Sequence, residues 1–423
     1  MKSDNGQLYP VLDKTALHGL AGEVVRLIEP HTEADPVALL ASFLAEVGAM
    51  LNRRPHLVLD GSYHPLLFWP VLVGRSSKSR KGTADRRMRN LFELADEGWT
   101  RGECKGTLSS GEGLAYAVRD PQDKNEPVRE KGRLTGETVP VCVDSGIEDK
   151  RLLLVQSEFG SMLRVMARDG NSLSGVIRDA WDGLTLAPMT KKDRVRATDP
   201  HIGIVGHVTK DELLRNLTGT EASNGFGNRF VWFFVQRSKE LPFPSMPDES
   251  NMAELASRVG RAIQQARNIE AIGMTESFRE KWKAVYHNLS ADRPGLAGSL
   301  LGRAEAQVMR SSALYAVLDG HNAIDLPHLS AALALWDYAE ASTRLIFGDN
   351  TGDPEADTIL QALRERGELT DTDISGLFKR HLPALRLHQA KAVLESAGFI
   401  YPERMPSGGR SQTIWRPGAK KAN

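Results

Sequence analysis

The chain has 423 residues, 41% of them apolar and 26% charged, with 54 basic residues balanced by 54 acidic ones. That length allows two or three domains, and the composition excludes a disordered, fibrous or uniformly basic chain. Two cysteines, Cys104 and Cys142, are too few for a disulfide framework or a zinc site and fit a reducing compartment.

The opening MKSDNGQLYP lacks the apolar core of a signal peptide. The longest apolar run, Leu66 to Val73, is interrupted by Pro70 and too short to span a bilayer. A cytoplasmic protein with no membrane partner is expected. Residues 14–52 read as two helices, the second starting at a proline, and form an N-terminal helical region, 1–54. HLVLD then predicts a short strand and PLLFWPVLVG a strand buried on both faces, as in a parallel sheet. A helix from Thr83 to about Gly98 follows, with Met88, Leu91, Phe92 and Ala95 along one face.

Residues 120–138 are polar and rich in turn formers, which predicts a surface excursion. VPVCVDS (139–145) and RLLLVQSEF (151–159) read as strands, 160–181 as a helix, HIGIVGHVT (201–209) as a strand, KDELLRNL as a helix and RFVWFFVQR (229–237) as the closing strand. Alternating strands and helices predict a largely parallel α/β sheet over 55–248. The pattern becomes all-helical over 249–348, with Ala304, Val308, Ser311, Tyr315 and Leu318 on one stripe. After an acidic linker, helices at 355–366, 371–380 and 386–397 and two strands around a Gly-Gly turn give the plan of a winged helix over 354–418. No internal repeat is visible.

Two stretches are basic. From Lys379 to Lys421 there are nine Lys or Arg against two acids, Glu395 and Glu403. In a winged helix the third helix enters the major groove and the wing touches phosphate, so Arg386, His388, Gln389 and Lys391, expected exposed on that helix, with Arg404, Arg410 and Arg416 on the wing, are candidate DNA contacts. The same fold also serves protein contacts.

The other basic stretch, VLVGRSSKSRKGTADRR (71–87), has the parts of a phosphate-binding loop in an unusual order. Such a loop needs a buried strand, backbone N–H groups around the phosphates, a lysine for the β/γ-phosphates and a hydroxyl for Mg²⁺. Counting from Gly74, the usual Gly and Lys positions hold Ser79 and Arg80, and Lys81, Gly82 and Thr83 come next. Lys81 is the best phosphate ligand and Thr83 the metal ligand; a basic surface loop capping a helix is the alternative. Glu158, closing an apolar strand, suits the carboxylate beside Mg²⁺ and the attacking water. His207, at the end of the third strand, suits a γ-phosphate sensor. Arg229, after a Gly-rich loop, has the position of an arginine finger acting on a neighbouring subunit. Glu112, between two glycines, ranks below Glu158 as a second carboxylate.

Together, PHTEADPVALLASFLAEVG, VGRSSKSRKGT, SSGEGLAYAVRD, RLLLVQSEFGSML, RDAWDG, IGIVGHVTKDEL and GFGNRFVWFFVQR resemble a family of RecA-like P-loop ATPases of phages, plasmids and integrated elements. Its members often lie beside or are fused to primase-polymerase domains. The resemblance spans roughly residues 20 to 345. It implies a RecA-like core that binds nucleotide through Gly74, Lys81 and Thr83, with Glu158 as the working carboxylate, His207 as sensor and Arg229 acting in trans. The function expected is therefore an ATP- and Mg²⁺-dependent, helicase-like DNA motor of mobile-element replication, assembled as a homo-oligomeric ring and possibly served by a primase-polymerase. Alternatives are a nucleotide-switched DNA-binding adaptor or initiator, and an ATPase of a phage-defence system. The absence of Gly before Lys81 leaves hydrolysis open.

Overall fold

One helix near the N-terminus is buried on every side. In the computed structural model, which describes residues 9–102, 104–105, 108–130, 133–188, 195–217, 219–293, 295–348, 351–405 and 412–418, α1 (Gly19–Ile28) leads into α2 (Pro36–Met50). Asp35 caps α2, Pro36 takes its first turn, and everything from Val37 to Met50 is buried. A helix buried all round belongs in a core. By contacts the chain divides into two compact units. Residues 1–217, 229–290 and 303–346 make the larger, and 218–228, 291–302 and 347–423 the smaller.

In the larger unit β1 (His56–Leu59) and β2 (Ser62–Pro65) form a hairpin, and β3 (Pro70–Val73) opens the main sheet. Next come α3 (Lys81–Ala95), α4 (Glu97–Gly102), β4 (Cys104–Lys105) and α5 (Gly111–Ala117). β5 (Gln122–Glu130) and β6 (Arg133–Asp144) pair only with each other. The 139–145 segment expected in the main sheet is thus one arm of an exposed hairpin, with Val139, Val141 and Val143 on its surface. β7 (Arg151–Gln156) returns to the sheet. The expected 160–181 helix is two, α6 (Phe159–Met166) and α7 (Leu173–Asp182), parted where Gly170 turns left-handed. β8 (His201–Val208) and α8 (Lys210–Asn216) follow.

α9 (Gly219–Ser223) belongs to the smaller unit, and β9 (Val231–Phe234) completes the main sheet. Its order is β4-β7-β8-β3-β9 with every pairing parallel. Numbered along the chain, its five strands run 5-1-4-3-2 across the sheet. Alternation along β8 splits the two faces. His201 bonds the Gly48 carbonyl at 2.7 Å and a Cβ on Gly203 would meet Ala49, so odd positions face α2. A Cβ on Gly206 would meet the Phe159 ring at 2.5 Å, so even positions face α6. α10 (Glu249–Ala266), β10 (Gly273–Met274), α11 (Glu276–Leu289), α13 (Ala304–Leu318), β11 (Ala323–Ile324) and most of α14 (Leu326–Phe347) supply the helical part, with α12 (Gly295–Leu301) in the smaller unit.

The rest of the smaller unit runs α15 (Pro354–Arg366), β12 (Leu369–Thr370), α16 (Asp371–Leu377), α17 (Ala384–Ser396), β13 (Ile400–Met405) and β14 (Gln412–Pro417). β14 pairs antiparallel with both β12 and β13. Ile359, Leu363, Leu369, Ile374, Leu394, Ile400 and Trp415 form its core.

Within the larger unit, Glu46 of α2 is buried beside Asp85 of α3, and burial, with the Asp85 charge second, pushes its carboxyl up from 4.5 to about 8. Between those values the folded chain holds a proton that the unfolded chain has lost, so this group lowers stability as pH rises from about 4.5 to about 8. Glu46→Gln is expected to flatten that part of the melting-temperature profile and raise the melting temperature at pH 8. Parallel profiles of the two chains would contradict the assignment.

Candidate functional site

The carboxyl ends of β3 and β8 carry the loop and the buried histidine. Gly74 N–H donates to the Val208 carbonyl at 3.2 Å, continuing the ladder one residue past β3. A Cβ on Gly74 would sit 2.4 Å from the Val235 carbonyl and 2.7 Å from Ser79 Cβ, so only glycine fits. A single 3₁₀ turn, Ser77–Ser79, follows, and α3 begins at Lys81 rather than at Thr83 as expected. Arg80, between them, is left-handed at φ 54° and ψ 25°. A non-glycine residue pays about 1–2 kcal/mol for that conformation. The usual phosphate loop has glycine directly before its lysine, and Arg80 holds that place here. Its Nε donates to Glu33 Oε2 at 2.7 Å.

Lys81 folds back into the loop. Its Nζ donates to the carbonyls of Gly74 (3.2 Å) and Arg75 (3.1 Å) and to Ser79 Oγ (2.9 Å), and Ser79 Oγ donates to the Arg75 carbonyl at 2.5 Å. Burial pulls the ammonium from 10.5 down to about 8. Among the described residues no carboxylate lies within ion-pair distance of it. A half-buried cation without a counter-ion suits an anionic ligand, which is the fit a triphosphate requires. α3 has no side-chain cap at its N-terminus, a Cβ on Gly82 would meet nothing within 4 Å, and the Thr83 N–H already donates to the Arg80 carbonyl at 3.0 Å.

His207 pairs in register with Leu72 of β3 and points to the α2 face. It is 5% exposed, and its Nε2 has no hydrogen-bond partner among the described residues. Burial first, and the Lys81 charge second, pull the ring down to about 4, so it is neutral at physiological pH. Lys81, Ser79, Thr83 and His207 are thus brought to one edge.

Glu158 lies beyond β7 at the N-terminus of α6. It is exposed and accepts from Ser161 Oγ at 3.0 Å; that hydroxyl accepts from Arg164, which pairs with Glu212 of α8 at 2.9 Å. Gln156, which sequence reasoning passed over, is buried two residues earlier at the end of β7 and accepts the Leu108 N–H at 3.2 Å. Glu112 accepts from Ser172 Oγ at 2.9 Å, joining α5 to the start of α7.

Arg229 is not presented to a neighbour. Its side chain is 7% exposed and bonds Asp182 at 2.5 Å, while its carbonyl accepts from Gln307 at 3.0 Å. Trp181 beside it carries the Arg310 guanidinium 3.5 Å from its ring centroid, and Arg310 also donates twice to the Trp181 carbonyl. RDAWDG is therefore a packing node.

The proposed DNA contacts separate into two groups. Arg386, expected to be exposed, bridges Asp353 (2.8 Å) and Glu355 (2.5 Å). Lys391, also expected exposed, is 16% exposed, paired with Asp371 at 2.7 Å over the Trp415 ring. Arg416 pairs with Glu403 at 3.0 Å and Glu368 at 3.3 Å. Those three are paired with acids of the same unit. His388, Gln389 and Arg404 are exposed, and Arg410 lies outside the described residues.

One cluster has the composition of a metal site: His18, Asp319 and His328. His328 Nδ1 accepts the Asp325 N–H at 2.9 Å, which leaves the proton on Nε2, facing Asp319 Oδ2 at 3.5 Å. That ring atom donates and has no lone pair for a metal. His18 bonds the same carboxylate oxygen at 2.8 Å. The cluster joins the start of α1 to the end of α13 and the first turn of α14.

Comparison with known protein families and with curated proteins finds no family model and no curated relative that this sequence matches. Two outcomes check the geometry. The His207 ring is expected to titrate near 4 by NMR, and a midpoint near 6.5 would contradict its burial. Gly74→Ala is expected to cost roughly 1–3 kcal/mol in chemical denaturation, because both clashing groups are fixed by the loop; an unchanged midpoint would contradict the close packing.

Proposed function

We propose that this chain is a nucleoside triphosphatase of the RecA-like P-loop class and, within that class, an ATP-dependent, helicase-like DNA motor of a phage, plasmid or integrated element. The observation that carries the reading is Lys81 Nζ, half-buried in the β3–α3 loop with no carboxylate among the described residues beside it. The 5-1-4-3-2 parallel order supports it, with one strand, β8, between the loop strand and the strand that precedes Glu158. Ligands of parallel sheets collect at this edge.

In this reading the N–H groups at the start of α3 and the Lys81 ammonium bind the phosphates, and Thr83 with Glu158 would hold Mg²⁺. Mg²⁺ held there would supply neutralisation of phosphate charge. Glu158, exposed just after β7, would polarise the attacking water. His207 is neutral and its Nε2 has no partner among the described residues, so it could meet a γ-phosphate oxygen through a proton carried there and report its presence.

The α15-β12-α16-α17-β13-β14 order supports a winged helix, with α17 as its third helix. DNA contact would then fall to His388, Gln389 and Arg404. The expected trans role of Arg229 is not part of the proposal, because its guanidinium is held by Asp182. Ring assembly and a primase-polymerase partner rest on the sequence resemblance alone. The Arg229 pairing also favours the second reading, a nucleotide-switched DNA-binding adaptor, since the chain's own arginine is withheld from a transition state.

DNA-stimulated ATP hydrolysis separates the two readings. A motor should turn over faster with single-stranded DNA, and Lys81→Ala and Glu158→Gln should each reduce turnover roughly 10²–10³-fold. ATP bound without turnover in the parent chain supports the adaptor instead. The affinity for Mg-ATP should also be level up to about pH 8 and then fall, approaching tenfold per pH unit, as Lys81 loses its proton. Affinity unchanged up to pH 10 would remove Lys81 from the site.

A further inference from the structure

Arg80 is one of five non-glycine residues with positive φ among the described residues, and it immediately precedes the lysine of the loop. The carboxylate that meets it comes from 47 residues upstream. Glu33 lies between α1 and α2, and its side chain is 11% exposed. One oxygen takes Arg80 Nε at 2.7 Å; the other takes the Leu241 N–H at 2.9 Å and lies 3.7 Å from Arg237. The Glu33 carbonyl accepts from Ser238 N–H at 3.0 Å. Glu33 is therefore fixed by the segment leaving β9 before Arg80 is considered, and it presents a rigid acceptor to the loop.

We propose that Glu33 is a positioning residue for the phosphate loop, holding Arg80 in the left-handed turn that glycine supplies in the usual motif. This rests on the nucleotide reading above and adds to it a residue outside the loop. The physical basis is pre-organisation. A left-handed arginine relaxes to ordinary φ when nothing holds it, and relaxation there moves the start of α3, and Lys81 with it, away from Gly74. The ion pair removes that alternative before any ligand arrives. It also accounts for the departure from the usual order: the chain replaces a flexible glycine with a residue held from outside.

The test is a double-mutant cycle on the full chain, using Glu33→Gln and Arg80→Gly, with Mg-ATP affinity as one readout. The amide keeps an acceptor for the Leu241 N–H but loses the charge. Glu33→Gln is expected to weaken Mg-ATP about tenfold in the parent chain and less than twofold in the Arg80→Gly background, where glycine takes the turn unaided. Equal losses in both backgrounds would overturn the proposal, and so would tighter binding by Glu33→Gln, which would make the pair a gate.

A second readout needs no nucleotide: the rate of tryptic cleavage after Lys78, which is exposed in the loop and present in all four chains. Glu33→Gln should speed that cut severalfold in the parent chain and leave it unchanged in the Arg80→Gly background. Failure of the parent chain to bind Mg-ATP would sink the nucleotide reading. The cleavage cycle would still decide whether Glu33 sets the loop.

Discussion

Parallel pairing of β3 with β8 on one side and β9 on the other is the constraint from which the rest of the larger unit follows. Parallel neighbours must be joined by crossovers, so every segment leaving a strand does so at the same edge. The β3–α3 loop, the residues after β7 and the end of β8 are therefore neighbours although they come from well-separated parts of the chain. Burial of β3 on both faces also demands a core helix above it, which is the role of α2, buried on every side. Because α2 covers the face to which His207 points, the histidine is dry and neutral beside a lysine.

Arginine and lysine are spent in two ways. Most of those that sequence reasoning assigned to partners are consumed inside the chain. Arg229 holds Asp182, Arg386 ties the start of α17 to the start of α15, and Lys391 bridges α17 to Asp371 over Trp415. Pairs of this kind in partly buried places gain from lower screening and cost the chain a free cation. Lys81 differs, since among the described residues only neutral oxygens meet it.

Much of the larger unit was legible because its signals are local. β3 is an unbroken apolar run and β8 a strand rich in Ile and Val, α2 announces itself with Asp35-Pro36, and Gly74 closes a strand where nothing larger fits. The misreadings share a cause, which is dependence on a distant partner. The 139–145 run has the apolar content of a sheet strand, yet β5 alone pairs with it. The two-residue strand β4 has no pattern to read. The exposure of Arg386 and Lys391 was misjudged because their acids lie 20 to 33 residues earlier. The left-handed turn at Arg80 was invisible for the same reason: nothing within the loop reveals Glu33.

The central claim is that the backbone from Gly74 to Thr83 encloses a triphosphate. Amide hydrogen exchange with and without a non-hydrolysable ATP analogue and Mg²⁺ tests it most directly. The expected result is slowed exchange over residues 74–84, with a smaller effect at the end of β8. Unchanged exchange in that loop under saturating nucleotide, or protection confined to another part of the chain, would contradict it.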